Sequence, residues 1–205
     1  MLPDEIDNPL DLMRRDQAVA RELEDASAEF ACLATVDGDG QPHARFVTLR
    51  RIDSLHVTFW ASATSPKILH LNANGNYALT AYWPTVARQY RLQGIYHWIA
   101  ASEVSDEYAA RPWRAKVWDW MHEELPQSAP APERGDLVTR FESQGAELER
   151  AFGERQSVPP PANAGMVRLE PQRVEVQQID RERRLHDRRV LVRNGERWTQ
   201  AVLVP

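Results

Sequence analysis

Cysteine is nearly absent from this chain. Cys32 is the only one among 205 residues, so an internal disulfide is impossible. It lies in an apolar, strand-like run, which favours a buried structural thiol over a nucleophile.

Long apolar runs and an excess of basic residues are also missing. No run is long enough to cross a bilayer, and the acidic residues 1–7 are unlike a signal peptide. A net charge of −5 with a pI near 5.7 is atypical of a general nucleic-acid binder. We therefore expect a cytoplasmic protein with ordinary globular composition that binds neither membranes nor nucleic acid.

Sequence motifs for hydrolysis, nucleoside triphosphates and metals are lacking. There is no Gly-x-Ser-x-Gly elbow and no glycine-rich phosphate loop, since the acidic 37–40 segment predicts a turn. The six histidines are scattered, and His122 has no second histidine at helical spacing. We predict no metal site.

What is present is a series of short strands with helices between them. Strands are predicted at 30–36, 42–52, 55–61, 77–83 and 87–99, followed by a β-meander from 166 with a turn at Asn194-Gly195. Helices are predicted at 8–25, 65–75, 102–110, 113–124 and 137–152, with a loop at 126–132. Without regular βαβ alternation, this order indicates a mainly β protein, a barrel with peripheral helices.

A basic stretch at 183–189 dominates the C-terminal part. On a strand, alternation would place Arg184, His186 and Arg188 on one face, suited to an anion or an electron-rich ring. The strand pattern alone fits a solvated, salt-bridged face better.

Two further features suggest a ligand. Ser65-Pro66-Lys67 is typical of a helix N-cap, where free backbone N–H groups favour an anion, although for this tripeptide alone a capping serine with a surface lysine is the better explanation. Four of the seven tryptophans lie between positions 98 and 120, which indicates an interface or a flat aromatic ligand.

Taken together, these segments resemble the pyridoxamine/pyridoxine 5′-phosphate oxidase family. The resemblance runs through nearly the whole chain. Its matching text is Asn8-Pro9-Leu10, 34–42, 45–50, Ser65-Pro66-Lys67, Arg88-Gln89, Glu103 with Arg111-Pro112, and Arg184-Leu185-His186-Asp187-Arg188.

The resemblance implies an FMN-binding split β-barrel forming one domain over 1–205, with a barrel core at 28–125 and a dimerisation and active-site segment at 163–205. It also implies a homodimer with FMN between the protomers. The implied cofactor-binding positions are Arg45, Phe46, Val47, Thr48, Leu49, Trp60, Ala61, Ser65, Lys67, Gln89, Gln177 and Arg188.

The same resemblance assigns the substrate side of the site. Arg184 and His186 match the catalytic pair over the substrate. Arg50, Tyr108 and Arg111 complete the substrate-binding set with them.

Several positions depart from the family pattern. Pro66 replaces an arginine near the flavin phosphate, whereas Glu107 and Ala115 replace a tyrosine and a serine that bind the substrate phosphate. A carboxylate in a phosphate pocket costs several kcal/mol. We therefore expect FMN binding to persist and turnover of pyridoxine phosphate to be weak.

The resulting prediction is an FMN-dependent oxidase that transfers hydride from a flat (hetero)aromatic substrate to the flavin, with O2 as acceptor. Three alternatives stay open: a genuine pyridoxamine 5′-phosphate oxidase, a dihydroaromatic oxidase of the phenazine-biosynthesis type, and a non-catalytic flavin binder.

Overall fold

The computed structural model describes residues 2–131, 133–180, 182 and 185–204. The chain divides into two compact units. The first comprises the described residues within 1–59, 70–97 and 168–205, and the second comprises those within 60–69 and 98–167.

Nine strands are present in the described chain, and they form one sheet in the order β2-β1-β5-β6-β7-β4-β3, with β8 paired to β7 and β9 to β8. All the registered pairs are antiparallel. The strands are β1 (Phe30–Val36), β2 (Pro42–Thr48), β3 (Arg51–Ile52), β4 (Val57–Ser62), β5 (Tyr77–Trp83), β6 (Arg88–Ala100), β7 (Ala164–Gln178), β8 (Asp187–Asn194) and β9 (Arg197–Leu203).

Among the described helices, α1 follows its local start signals. Asn8 caps the first helix through its side chain, which accepts from Leu10 N, and proline occupies the first position. The α-helices are α1 (Pro9–Glu22), α2 (Pro66–Asn74), α3 (Ser105–Ala109), α4 (Trp113–Glu124) and α5 (Arg134–Phe152), with 3₁₀ turns at Ala101–Val104 and Arg155–Ser157.

Three local predictions need correction. The strand predicted over 42–52 divides into β2 and β3, because Leu49 N bonds to Glu29 O (2.8 Å) while Arg50 N turns to Thr58 O (2.9 Å). The helix predicted over 102–110 divides into a 3₁₀ turn and α3, with Val104 outside helical geometry at φ −129° and ψ 49°. The Ser65 hydroxyl donates to Ser62 O (2.7 Å) instead of capping α2.

Each unit has its own apolar core. In the first unit, alternate strand residues such as Leu33, Leu79, Leu92 and Val174 are fully buried. In the second, Val117 and Met121 of α4 pack with Leu148 and Val158, and partly buried tryptophans join this cluster. Within the described ranges, no helix has both the length and the apolar character that crossing a membrane requires.

Candidate functional site

Arg45 lies on β2 and is half-buried in the first unit. Its Nη1 donates to Thr35 Oγ1 (2.6 Å) and to Leu33 O (3.3 Å), both on β1. Burial lowers the pKa of this guanidinium from its usual value. No carboxylate in the described part of the chain forms an ion pair with it, so the partly desolvated cation has only neutral partners there.

The segment after Arg45 alternates between interior and surface. Val47 and Leu49 are buried, Thr48 is half-buried, and Phe46 is 76% exposed. Arg50 is exposed, beyond the end of β2. The inward residues belong to the core, so a ligand could reach this segment through its backbone, Arg45 or the outward side chains.

Three further predicted cofactor residues lie in the same unit. Gln89 is half-buried on β6, opposite Tyr82 of β5. Gln177 of β7 and Arg188 of β8 are register partners, so the fold places them side by side. Arg188 Nη2 also donates to Glu175 Oε2 (2.7 Å), which offsets its charge.

The basic stretch is placed only in part. Arg184 lies outside the described residues. As predicted, a strand begins within the basic stretch, since β8 starts at Asp187, but His186 lies one residue before it. Its Nδ1 accepts a hydrogen bond from Asp180 N (3.1 Å), which fixes the orientation of the ring.

In the second unit, two polar residues at the start of α2, Ser65 just before it and Lys67 within it, are both removed from solvent. Ser65 is fully buried and Lys67 is 8% exposed. Lys67 Nζ donates to Gln127 Oε1 (2.6 Å) in the predicted loop 126–132. Nearby in the sequence, Ala61 is buried and Trp60 is half-buried.

A buried ion pair is the main feature of the second unit. Arg111 makes a bidentate contact with Asp119 of α4, with both N···O distances at 2.9 Å. The side chains are only 7% and 13% exposed. Burial raises the pKa of Asp119, and the charge of Arg111 acts in the opposite direction.

Aromatic rings enclose this pair. The Arg111 guanidinium carbon lies 4.6 Å from the centroid of the Trp60 ring and 5.9 Å from that of Tyr108, and the two rings meet edge to face. Burial, with Asp119 nearby, raises the pKa of Tyr108, so its hydroxyl stays protonated. Nη1 of Arg111 is buried and finds no hydrogen-bond partner among the described residues.

Lys116 supports the cluster from the same helix. It is 1% exposed, and its Nζ donates to Arg155 O (3.1 Å) and Gln156 O (3.2 Å) while lying 5.4 Å from the Tyr108 centroid. Sequence reasoning placed Tyr108 and Arg111 in the substrate site but missed Asp119 and Lys116. The sequence feature that could have indicated Asp119 is its position between two tryptophans, Trp118 and Trp120.

Comparison with known proteins identifies the family. The family model described as pyridoxamine 5′-phosphate oxidase matches residues 16–145. A pyridoxine/pyridoxamine 5′-phosphate oxidase of Pseudomonas paraeruginosa is 35% identical over 97% of this chain and 89% of its own length. One from Ralstonia nicotianae is 37% identical over 88% of this chain and 81% of its own. The chain belongs to the pyridoxamine 5′-phosphate oxidase family.

Solved structures confirm the predicted split β-barrel with peripheral helices. PhzG from Burkholderia lata, in complex with tetrahydrophenazine-1-carboxylic acid, superposes with a TM-score of 0.85 at 25% identity, covering 100% of this chain and 98% of that one. A pyridoxamine 5′-phosphate oxidase-related, FMN-binding protein from Nostoc punctiforme shares the fold, with a TM-score of 0.72 at 18% identity and coverage of 96% and 98%.

Proposed function

We propose that this protein is an FMN-dependent oxidase of a flat, phosphate-free (hetero)aromatic substrate, with O2 as the electron acceptor and the active form a homodimer. The observation that carries the substrate choice is the buried Arg111–Asp119 pair. In the resemblance, Arg111 matches the arginine that grips the substrate phosphate, and here a carboxylate already holds it.

The free energies involved favour keeping the Arg111–Asp119 ion pair intact when a substrate binds. A bidentate grip of Arg111 on a phosphate that uses Nε or Nη2 would leave Asp119 buried and unpaired, at a cost of about 3–5 kcal/mol. A charge-assisted hydrogen bond to the phosphate returns about 1.5–3 kcal/mol. Because Asp119 also repels a dianion, phosphate recognition at this position is unfavourable.

A planar substrate suits the same cluster better. Trp60 and Tyr108 offer aromatic surface, and the unpartnered Nη1 of Arg111 can donate to one acceptor without breaking the ion pair. PhzG, the structural relative above, binds tetrahydrophenazine-1-carboxylic acid, a ring system with a single carboxyl group. We therefore favour partly reduced polycyclic aromatic acids as substrates.

The side chains fit FMN in their chemistry. Arg45 is a partly buried cation with neutral partners, and such a group is stabilised by a bound anion. In the first unit we assign Arg45 to the phosphate, the 46–49 segment to its surroundings, and Gln89, Gln177 and Arg188 to the ring system. For Trp60, Ala61, Ser65 and Lys67 of the second unit, the proposed contact with FMN rests on the family resemblance alone. Bound FMN would accept the hydride and pass electrons to O2.

The protein's own catalytic groups are Arg184 and His186, which we propose orient the substrate. His186 would hydrogen-bond the substrate or accept a proton, and the contact from Asp180 N to its Nδ1 leaves Nε2 for that role. Arg50 would attract acidic substrates towards the site.

The experiment that tests the proposal is flavin reduction followed by oxygen uptake. The purified protein, saturated with FMN, is mixed without oxygen with pyridoxine 5′-phosphate or with a dihydrophenazine carboxylic acid, and loss of flavin absorbance is recorded. We expect reduction by the ring acid and little by the phosphate. Faster reduction by pyridoxine 5′-phosphate would establish a genuine pyridoxamine 5′-phosphate oxidase, and bound flavin reduced by neither would favour a non-catalytic binder.

Asp119→Asn tests the ion pair itself. Removing the charge while keeping the shape frees Arg111, so KM for pyridoxine 5′-phosphate should fall at least tenfold, an energy of about 1.4 kcal/mol. The matched control is Asp106→Asn, an exposed residue of α3. An unchanged KM in a folded Asp119→Asn protein would show that the pair does not control phosphate recognition.

A further inference from the structure

Three potential metal ligands meet in the first unit, although their sequence spacing gives no sign of it. Asp37 follows β1, His43 lies on β2, and His70 lies on α2. One ligand atom from each lies within 4.8 Å of the others. His43 Nε2 is 2.8 Å from Asp37 Oδ2, and the two imidazole centroids are 4.6 Å apart.

Surrounding hydrogen bonds hold these side chains in place. Asp37 Oδ1 accepts from Asp39 N (3.0 Å) and Gln41 N (2.9 Å), so the turn fixes the carboxylate and directs its second oxygen to His43. Asn74 Nδ2 donates to Val36 O (2.8 Å), which attaches the end of α2 to the same hairpin. Hydrogen bonds to the backbone therefore hold the Asp37 carboxylate and the end of α2 in place before any metal binds.

The histidine from α2 also has an outer partner. Its Nδ1 lies 3.1 Å from Thr35 Oγ1. Metal-bound histidines commonly use the second ring nitrogen for such a contact, which sets the tautomer and orients the ring. In the tautomer in which His70 Nδ1–H donates to Thr35 Oγ1, which also accepts from Arg45 Nη1 (2.6 Å), Nε2 carries the lone pair available for coordination.

We propose that Asp37, His43 and His70 form a binding site for a late divalent transition metal, with Zn²⁺ as the best match. Two imidazoles and one carboxylate are ligands that zinc prefers, and three protein ligands leave a coordination position for water or another ligand. A bound ion would join the β1–β2 hairpin to α2 directly.

The charges around the proposed site determine how tightly we expect it to bind zinc. Arg45 donates to Thr35 Oγ1, so a cation lies one hydrogen bond beyond the His70 partner and weakens metal binding. The carboxylate of Asp37 offsets it. The His43 side chain is 44% exposed and that of Asp37 24%, so an ion from solvent has access. We expect binding weaker than in closed, four-ligand structural zinc sites.

The test uses untagged, flavin-loaded protein that has been treated with a chelator and then dialysed against Zn²⁺. Bound zinc is measured by elemental analysis, and affinity by competition with a chromophoric chelator. We expect one zinc per chain, with affinity at least tenfold lower in His70→Ala and in Asp37→Asn, because even the loss of a residue that only supports a metal ligand costs roughly 10–100-fold. Asn keeps the oxygen that accepts from the turn, so the hairpin should stay folded.

His97→Ala is the matched control. His97 Nε2 lies 3.3 Å from Glu170 Oε2, a histidine–carboxylate pair that is not part of any three-ligand group in the described ranges. Its zinc affinity should equal that of the unaltered protein. Equal zinc affinity in unaltered protein and His70→Ala, or equal losses in all three variants, would overturn the proposal.

Discussion

At the scale of single residues, the arginines differ in whether a side chain of opposite charge lies beside them. Arg111 has Asp119, and Arg188 has Glu175. Arg45 is partly desolvated, yet its hydrogen bonds go to a hydroxyl and a carbonyl. Because a desolvated charge without an opposite charge is costly, this difference supports the proposed contact between Arg45 and the FMN phosphate.

Replacing Arg45 with methionine should therefore weaken flavin binding. Methionine retains much of the length and removes the charge, so the loss of one charge-assisted contact of about 1.5–3 kcal/mol predicts a dissociation constant for FMN raised about ten- to a hundredfold. The measurement is quenching of FMN fluorescence on titration with protein freed of flavin.

The control for this substitution is Arg51→Met. Arg51 lies on β3, the next strand in the sequence, has a side chain that is 70% exposed, and contacts Asp53 at 3.4 Å. Equal flavin affinity in both variants would contradict the assignment of Arg45 to the phosphate.

At the scale of elements, close approach of two backbones limits what β6 can contain. A Cβ at Gly94 would lie 2.2 Å from Glu170 O, 2.6 Å from Gln172 N and 2.8 Å from Pro171 Cα, all on β7. These are backbone atoms, which cannot swing aside as a flexible side chain would. The glycine is therefore required by strand packing.

Gly94→Ala should destabilise the protein by about 1–3 kcal/mol, the range for overpacking a tight site. Urea unfolding followed by circular dichroism measures it. Gly38→Ala is the matched change, since a Cβ there meets nothing within 4 Å. Comparable stability of the two variants would show that β6 and β7 separate more easily than their spacing indicates.

Element boundaries show how far local sequence determines the fold. The bounds of β1, β5 and α4 agree with their predictions, because alternation, proline and turn residues act within a few positions. The β2–β3 break escaped prediction, since it depends on Glu29 and Thr58 bonding to successive amides. Asp119 and the pairing of His43 with His70 escaped for the same reason: their partners come from other elements.

At the scale of the whole molecule, the first unit presents an apolar face. Phe46 is 76% exposed, Phe30 43% and Tyr82 38%, and they lie on the adjoining strands β2, β1 and β5. Together with half-buried Cys32, which lies opposite Phe46 in the register, these residues line a shallow cavity. Exposed aromatic residues grouped in this way are typical of a surface that a partner covers.

The proposed homodimer gives this face a role that one substitution can test. In Phe46→Asp a charge replaces the most exposed aromatic residue of the face, and burying it without a partner costs several kcal/mol. We expect light scattering after gel filtration to show a dimer for the unaltered protein and a monomer for the variant. FMN affinity should fall with it, because the cofactor is proposed to lie between protomers and Phe46 itself is assigned to the surroundings of FMN. Leu55→Asp, at a 48% exposed position outside the face, should keep both dimer and flavin. A Phe46→Asp dimer with normal FMN affinity would instead place the protomer contact and the cofactor on another surface.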